Sequence, residues 1–276
     1  MPSITQSLGR GVGWRPEIDG AIERAEGIGF VEVVAETIDP RRLPAGLRAA
    51  RELGRAIVPH GISLSLGGAD PPDPRRLRHL GAVADRVGAP VVSEHIAFVR
   101  AGGREAGHLL PVPRTAEALE ILVENVGLAQ RALPVPLALE HVACLVEWPG
   151  AEMDEAAFVG ELIERTGALL LLDLSNLYAN AHNHGYDAAA ALTRFPLDRI
   201  AYVHVGGGVL RDGVYHDTHS HPVQPGVLGL VEELYAVADP PGVLLERDDD
   251  FPSEEELLAE LAAIAEAADR GRGRRG

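Results

Sequence analysis

Seven apolar, β-prone runs in this chain end on a histidine or a carboxylate. They are FVEVVAE to Glu36, AIVPH to His60, PVVSEH to His95, VPLALE to Glu140, ALLLLD to Asp173, IAYVH to His204 and GVLLE to Glu246. Imidazoles and carboxylates are the nitrogen and oxygen ligands of zinc, manganese and non-haem iron. Brought to one place, seven such groups make a cage for metal ions. A second cluster is Asp217-Thr-His219-Ser-His221. In an extended segment alternate side chains share a face, so Asp217, His219 and His221 are expected to point the same way, with Pro222 keeping His221 extended. The alternative is a polar loop facing solvent. Asp173 closes a run of four leucines, so its charge is expected near-buried and in need of a partner. A cation would serve, with the amide oxygen of Asn176 as a further ligand; the competing reading is an aspartate that caps the next helix.

The elements that must carry these groups follow a regular rhythm. With GVGW (11–14) as a first strand, the seven runs make eight strands, and the intervals hold helical patterns. These are expected over Pro16–Ile28, Leu43–Gly54, Pro74–Val87, Thr115–Leu133, Asp154–Thr166, Tyr186–Arg194, Gly226–Val237 and Ser253–Asp269, the last opened by a Ser253/Glu256 capping box. Strand runs that are continuously apolar fit parallel strands covered by helices. The expected fold is α/β, a single (β/α)8 TIM-type barrel, in which the C-terminal ends of all strands meet at one catalytic mouth. One domain is expected over 1–269, followed by a disordered Arg/Gly tail at 270–276. Four of the eleven histidines (His60, His95, His141, His204) lie at or beside strand ends, and five more (His182, His184, His216, His219, His221) follow the sixth and seventh strands. Glu140 is the expected bridge between two ions. Gly206-Gly207-Gly208 stands where many barrels bind phosphate, though close approach of backbone to a ligand explains it equally well.

Composition removes other classes. A formal charge of −16 over 276 residues argues against a nucleic-acid partner. All 25 basic residues are arginine, which excludes Schiff-base and P-loop chemistry, since both need lysine. One cysteine, Cys144, excludes an intrachain disulfide and a thiolate zinc site. The first residues lack the basic start and apolar core of a signal peptide, and no run is long enough to span a bilayer. A soluble cytoplasmic protein without a membrane partner is expected.

The segments GVGWRPEI, PHGISLSLGGADP, VSEHIAFV, LALEHV, LLLDLSNLYANAHNHG, YVHVGGG, DTHSHPV and LLERDDDFP resemble the multinuclear non-haem iron-dependent oxidases. That family was long catalogued as a domain of unknown function, and it includes the oxidase of methanobactin biosynthesis. The resemblance runs in order across almost the whole chain. It implies a β/α barrel with two or three irons, in mixed Fe(II) and Fe(III) states, at the strand ends. It further implies oxygen-dependent modification of a ribosomally made precursor peptide, often at cysteine, with a partner protein that binds the leader. Carried over by residue, the implied ligands are His60, His95, Glu140, Asp173, Asn176, His204, Asp217, His219 and Glu246, with His184 as a further candidate. Glu36, His141 and Asp248 are the expected catalytic groups around them, orienting ligands or relaying protons, as Glu94 would. Here Glu140-His141 stands where the family has Glu-Asn, and Ser175-Asn176 where it has Asn-Asn. The alternatives are a divalent-metal sugar isomerase or phosphoester hydrolase on the same kind of barrel, and a non-catalytic metal- or peptide-binding protein.

Overall fold

The structure is a computed structural model and describes residues 7–275. In chain order the strands are β1 (Gly9–Gly13), β2 (Ile28–Val34), β3 (Ala56–His60), β4 (Val92–His95), β5 (Ala97–Ala101), β6 (Arg104–Pro111), β7 (Leu137–Glu140), β8 (Leu169–Asp173), β9 (Ile200–Val205), β10 (Gly208–Arg211), β11 (Val214–Asp217) and β12 (Gly242–Leu245). The helices are α1 (Asp19–Arg24), α2 (Ala45–Glu52), α3 (Pro74–Val87), α4 (Ala116–Ala132), α5 (Glu155–Thr166), α6 (Leu174–His184), α7 (Ala188–Leu192), α8 (Pro225–Val237) and α9 (Glu254–Arg275). Eight strands close into a parallel barrel in the order β1-β12-β9-β8-β7-β4-β3-β2, which is the TIM-type fold expected.

Side-chain alternation explains what the barrel encloses. Successive residues of a strand face opposite sides, so an inward residue has its next inward neighbour two positions on. Phe30, Val58, Val91, Ala138, Leu169, Leu171, Tyr202 and Leu244 pack together inside the barrel. Continuing each strand in phase gives Glu32, His60, Ser93, His95, Glu140, Asp173, His204 and Glu246, all buried. One half of the lumen is therefore apolar and the mouth half is lined with ionisable groups. The outward residues of the same strands form the larger core beneath the helices.

Helix starts follow the cap chemistry of the sequence. Asp73, Thr115, Asp154, Asp173 and Asp187 each accept a backbone N–H at the first turn of a helix. Ser253 and Glu256 exchange hydrogen bonds as a capping box. Two β-hairpins, β5–β6 and β10–β11, rise from the mouth. The segment expected as a disordered tail instead prolongs α9 to Arg275. Gly271 packs where an added Cβ would lie 2.3 Å from the carbonyl oxygen of Glu232. Arg270 and Arg274 pair with Glu232 and Glu233 of α8, and Arg272 stacks on Tyr235. Arginines close to a helix C-terminus also suit its dipole, so the charges hold the segment down.

Candidate metal centre

The mouth brings together four imidazoles and five carboxylates. His60 Nε2 and His95 Nε2 lie 3.5 and 3.4 Å from Glu140 Oε2. The other oxygen, Glu140 Oε1, is 3.6 Å from His204 Nδ1, which is 3.0 Å from Glu246 Oε2. His219 completes the arc, with Nδ1 3.3 Å from Glu246 Oε2 and Nε2 2.9 Å from Asp217 Oδ2 and 3.8 Å from Asp173 Oδ2. Four overlapping triads have ligand atoms close enough to share an ion: His60/His95/Glu140, Glu32/His204/Glu246, Glu140/Asp173/His204 and Asp173/His219/Glu246.

The 2.9 and 3.0 Å separations are also hydrogen-bond lengths, but those of 3.3–3.6 Å are nearer to the spacing of two ligands on one ion. An N–H···O bond is about 2.9 Å long. Two ligands each about 2.1 Å from one ion lie about 3.0–3.4 Å apart for angles between octahedral and tetrahedral. Moreover Glu140 Oε2, Asp173 Oδ2, His204 Nδ1, Asp217 Oδ1 and His219 Nε2 are buried atoms with no hydrogen-bond partner of proper geometry. Such atoms are rare because each forfeits its solvation. Five converging on one mouth are a ligand set that fits a metal.

The outer atoms of the same side chains are already engaged. His95 Nδ1 is 3.1 Å from the Gly61 carbonyl and His60 Nδ1 is 2.8 Å from Ser93 Oγ, which turns both Nε2 atoms toward Glu140. Asp173 Oδ1 caps α6 through Ser175 N and Asn176 N, leaving Oδ2 for the site; both readings of that residue hold at once. His141 bridges Glu155 Oε1 and the Asp173 carbonyl, each at 3.0 Å. Arg15 pairs with Asp248, whose second oxygen is 3.4 Å from His219 Nδ1. Titration reflects the crowding. Burial opposes a charge on His95, yet Glu140 and Glu94 overcome it and lift it to about 9. Burial would raise Glu140, but His95, His204 and His60 hold it down at about 2. Asp173, buried and facing Asp217, rises to about 7.

A model of the family described as "RiPP precursor modification enzyme MbnB/TglH/ChrH" matches residues 9–269. The chain belongs to that family. Relatives named UPF0276 protein include one from Streptomyces avermitilis, 54% identical over 96% of this chain, and one from Caulobacter vibrioides, 37% identical over 92% of this chain and 91% of its own length. This chain spans 56% of the length of the Streptomyces relative. Among solved structures, an L-ribulose 3-epimerase superposes with a TM-score of 0.61 at 16% identity over 98% of this chain and 97% of its own. Endonuclease IV from Thermus thermophilus gives 0.59 at 24% identity, over 94% and 99%. At those identities the likeness is one of fold.

Within this member of the RiPP-modification family, the mouth gathers eight of the ten ligand candidates read from sequence. Asn176 is beside it, but its Oδ1 accepts from Ala143 N while its Nδ2 faces Glu140 Oε1 and the His141 carbonyl. The amide oxygen is thereby committed away from the mouth. His184 is not in the group: it sits at the end of α6 with Nε2 2.8 Å from the Cys144 carbonyl. Glu36 is also displaced. Strand β2 ends at Val34, and a 3-10 turn (Ala35–Thr37) carries Glu36 outward, where Oε1 accepts from Ile62 N and Ser63 Oγ. His221 leaves the face it was expected to share with His219, because His219 takes a left-handed φ of 49° and breaks the extended run; His221 Nδ1 instead meets Thr218 Oγ1 at 2.8 Å. His141 and Asp248 stand beside the group, His141 against the Asp173 carbonyl and Asp248 against His219. The triglycine is explained by close approach: a Cβ on Gly206 would lie 2.6 Å from the His219 ring, and one on Gly207 1.9 Å from the His221 carbonyl oxygen. Sequence reasoning missed Glu32, Ser93 and Tyr202, which underlie the ligands. The available signal was phase, since each lies an even number of positions from an inward residue of its own strand.

Proposed function

We propose that this chain is an oxygen-dependent, multinuclear iron oxidase that modifies a ribosomally made precursor peptide, at cysteine. The observation that carries the reading is the convergence of five partnerless buried ligand atoms from β7, β8, β9, β11 and the loop after it. His60, His95 and Glu140 would hold one ion; Glu140, Asp173 and His204 a second; Asp173, Asp217, His219 and Glu246 a third. When bound, two or three irons of mixed valence supply one-electron chemistry with oxygen and a seat for a thiolate.

The chain's own residues prepare that chemistry. Glu140 turns one oxygen to each of two neighbouring groups, and Asp173 and Glu246 each belong to more than one, so the ions would be held close together. Gly61 O keeps His95 Nδ1 occupied and its Nε2 inward. Glu94 Oε2 accepts from Ser63 N and Leu64 N and fixes the loop after β3. A cavity of about 600 Å³ opens over the centre, with Ile62, Leu109, Val142 and Leu145 on its walls and His108 and His216 as polar groups outside the ligand set. Leu145 on that wall is exposed, as are Val146 and Trp148 just after it in the chain, apolar surface that would suit an extended peptide. A partner protein that binds the leader would add affinity distant from the mouth. The proposal sets the reaction in the cytoplasm, where precursors are made; among the described residues no helix is long and apolar enough to cross a membrane.

The test is incubation of iron-loaded protein with cysteine-bearing precursor peptides encoded beside its gene, with and without oxygen. An oxygen-dependent change in peptide mass is expected. Turnover of a sugar or phosphoester without oxygen, supported by manganese or zinc, would replace this reading with the isomerase or hydrolase one.

A further inference from the structure

Beneath the candidate ligands runs one buried hydrogen-bonded chain. His60 Nδ1 is 2.8 Å from Ser93 Oγ, and Ser93 Oγ is 2.7 Å from the Tyr202 hydroxyl. The phenol contacts Glu32 Oε2, which is also 2.9 Å from His204 Nε2. All five residues are buried, so water does not compete for these positions.

Counting hydrogens fixes the direction of the chain. A serine and a phenol each own one hydroxyl hydrogen, and a carboxylate only accepts. Two oxygens as close as those of Tyr202 and Glu32 repel unless a hydrogen lies between them, so the phenol donates to Glu32. Tyr202 then has nothing left for Ser93, and Ser93 must donate to Tyr202. The remaining lone pairs of Ser93 accept from His60, which therefore carries its hydrogen on Nδ1. At the other end Glu32 accepts from His204, whose hydrogen is on Nε2. Glu32 thus uses Oε2 to anchor two donors, although it also stands near His204 and Glu246 in one of the candidate triads.

We propose that Tyr202, Ser93 and Glu32 are positioning residues that set the tautomers of His60 and His204, leaving bare His60 Nε2 and bare His204 Nδ1 turned into the metal groups. The proposal rests on the metal reading of the mouth, but on neither the identity of the metal nor the reaction. A single acceptor, Glu32, would orient ligands of two different ions. That is why an interior tyrosine with no access to substrate is hydrogen-bonded at both sides.

The full chain labelled with 15N-histidine, metal-free and zinc-loaded, reports the tautomers through its two-bond 1H–15N couplings. His60 is expected with its hydrogen on Nδ1 in both states, and zinc-loaded His204 with its hydrogen on Nε2. In Tyr202→Phe the Ser93 hydroxyl loses its acceptor and turns to His60 Nδ1. The His60 hydrogen then moves to Nε2, facing Glu140 Oε2 at 3.5 Å, and zinc affinity falls about 10–100-fold, while His204 keeps its hydrogen on Nε2. Ser93→Ala, a smaller change, should leave His60 as a mixture of both tautomers. A wild-type His60 protonated on Nε2, or a Tyr202→Phe variant with unchanged tautomer and zinc affinity, would overturn the proposal. A wild-type chain that takes up no metal would instead sink the metal reading, and the metal-free spectrum would still decide the direction of the chain.

Discussion

Glu140→Gln keeps the outline of the side chain and removes one charge where two metal groups meet. Glu140 Oε2 faces His60 and His95 at 3.5 and 3.4 Å, and Oε1 faces His204 at 3.6 Å. An ion in either group would lie within about 4 Å of the carboxylate, where a unit charge pair is worth about 4 kcal/mol at an effective dielectric constant of about 20. That is about three decades in a dissociation constant. The amide oxygen can still coordinate, but it restores none of the charge. Ferrous iron affinity, measured by chelator competition, should fall about a thousandfold, and at least one ion per chain should be lost on gel filtration. The substitution also removes half of the buried His95–Glu140 pair, so the metal-free protein should lose stability near neutral pH while keeping its fold. The metal-free melting temperature should therefore fall, and the rise on adding iron should nearly vanish, since a site saturated a thousandfold contributes about 4 kcal/mol. If Glu140→Gln bound the same number of irons within about threefold of wild-type affinity, the bridging role would be refuted.

Asp173→Asn should keep the α6 cap, made by Oδ1, and lose iron; Asp173→Ala should lose iron and also about 1 kcal/mol of stability, a difference that thermal melts and metal analysis together resolve. Glu36→Gln should leave metal stoichiometry unchanged, because Glu36 Oε1 accepts from Ile62 N and the Ser63 hydroxyl outside the ligand group; loss of iron would refute that role. Metal uptake should release protons. His95 sits at about 9 in the metal-free site and must deprotonate to bind, so affinity should climb as pH rises toward 9, a dependence that calorimetry in buffers of different ionisation enthalpy measures. The same raised value means that the His95–Glu140 pair supports metal-free stability below about pH 6.5 and loses that support as pH rises through about 9. Gly271→Ala should push α9 off α8, where the new Cβ would meet the Glu232 carbonyl, and lower stability by about 1–3 kcal/mol, seen as a drop in melting temperature without loss of iron.

The ends of His60, His95, Glu140, Asp173, His204 and Glu246 were legible because each closes its apolar run where the strand, or its last inward position, ends. Glu36 misled for the same reason read one step too far: the run continues to residue 36, but hydrogen bonding stops at Val34 and the next turn reverses the side chain. Glu32 was hidden inside that run, since a carboxylate flanked by valines gives no sign of which lumen it faces until the barrel closes. Tyr202 and Ser93 were likewise invisible, because their partners come from strands 109 to 170 residues apart in sequence. The α6 helix was masked by its own polar residues. Asn176 looks like a ligand in sequence, yet in the helix it and Asn180 satisfy the backbone of the 141–144 loop. His219 and His221 separated because one left-handed residue cancels an alternation argument. The arginine-rich end read as solvated tail because the acidic face of α8 that receives it lies about 40 residues earlier.

Metal analysis of anaerobically purified protein, with Mössbauer spectra of an iron-57 sample, tests the proposed multinuclear iron centre most directly. Two or more irons per chain with magnetic coupling between them are expected if Glu140, Asp173 and Glu246 are shared between neighbouring ions. A single zinc or manganese per chain, with iron still absent after reconstitution, would contradict it.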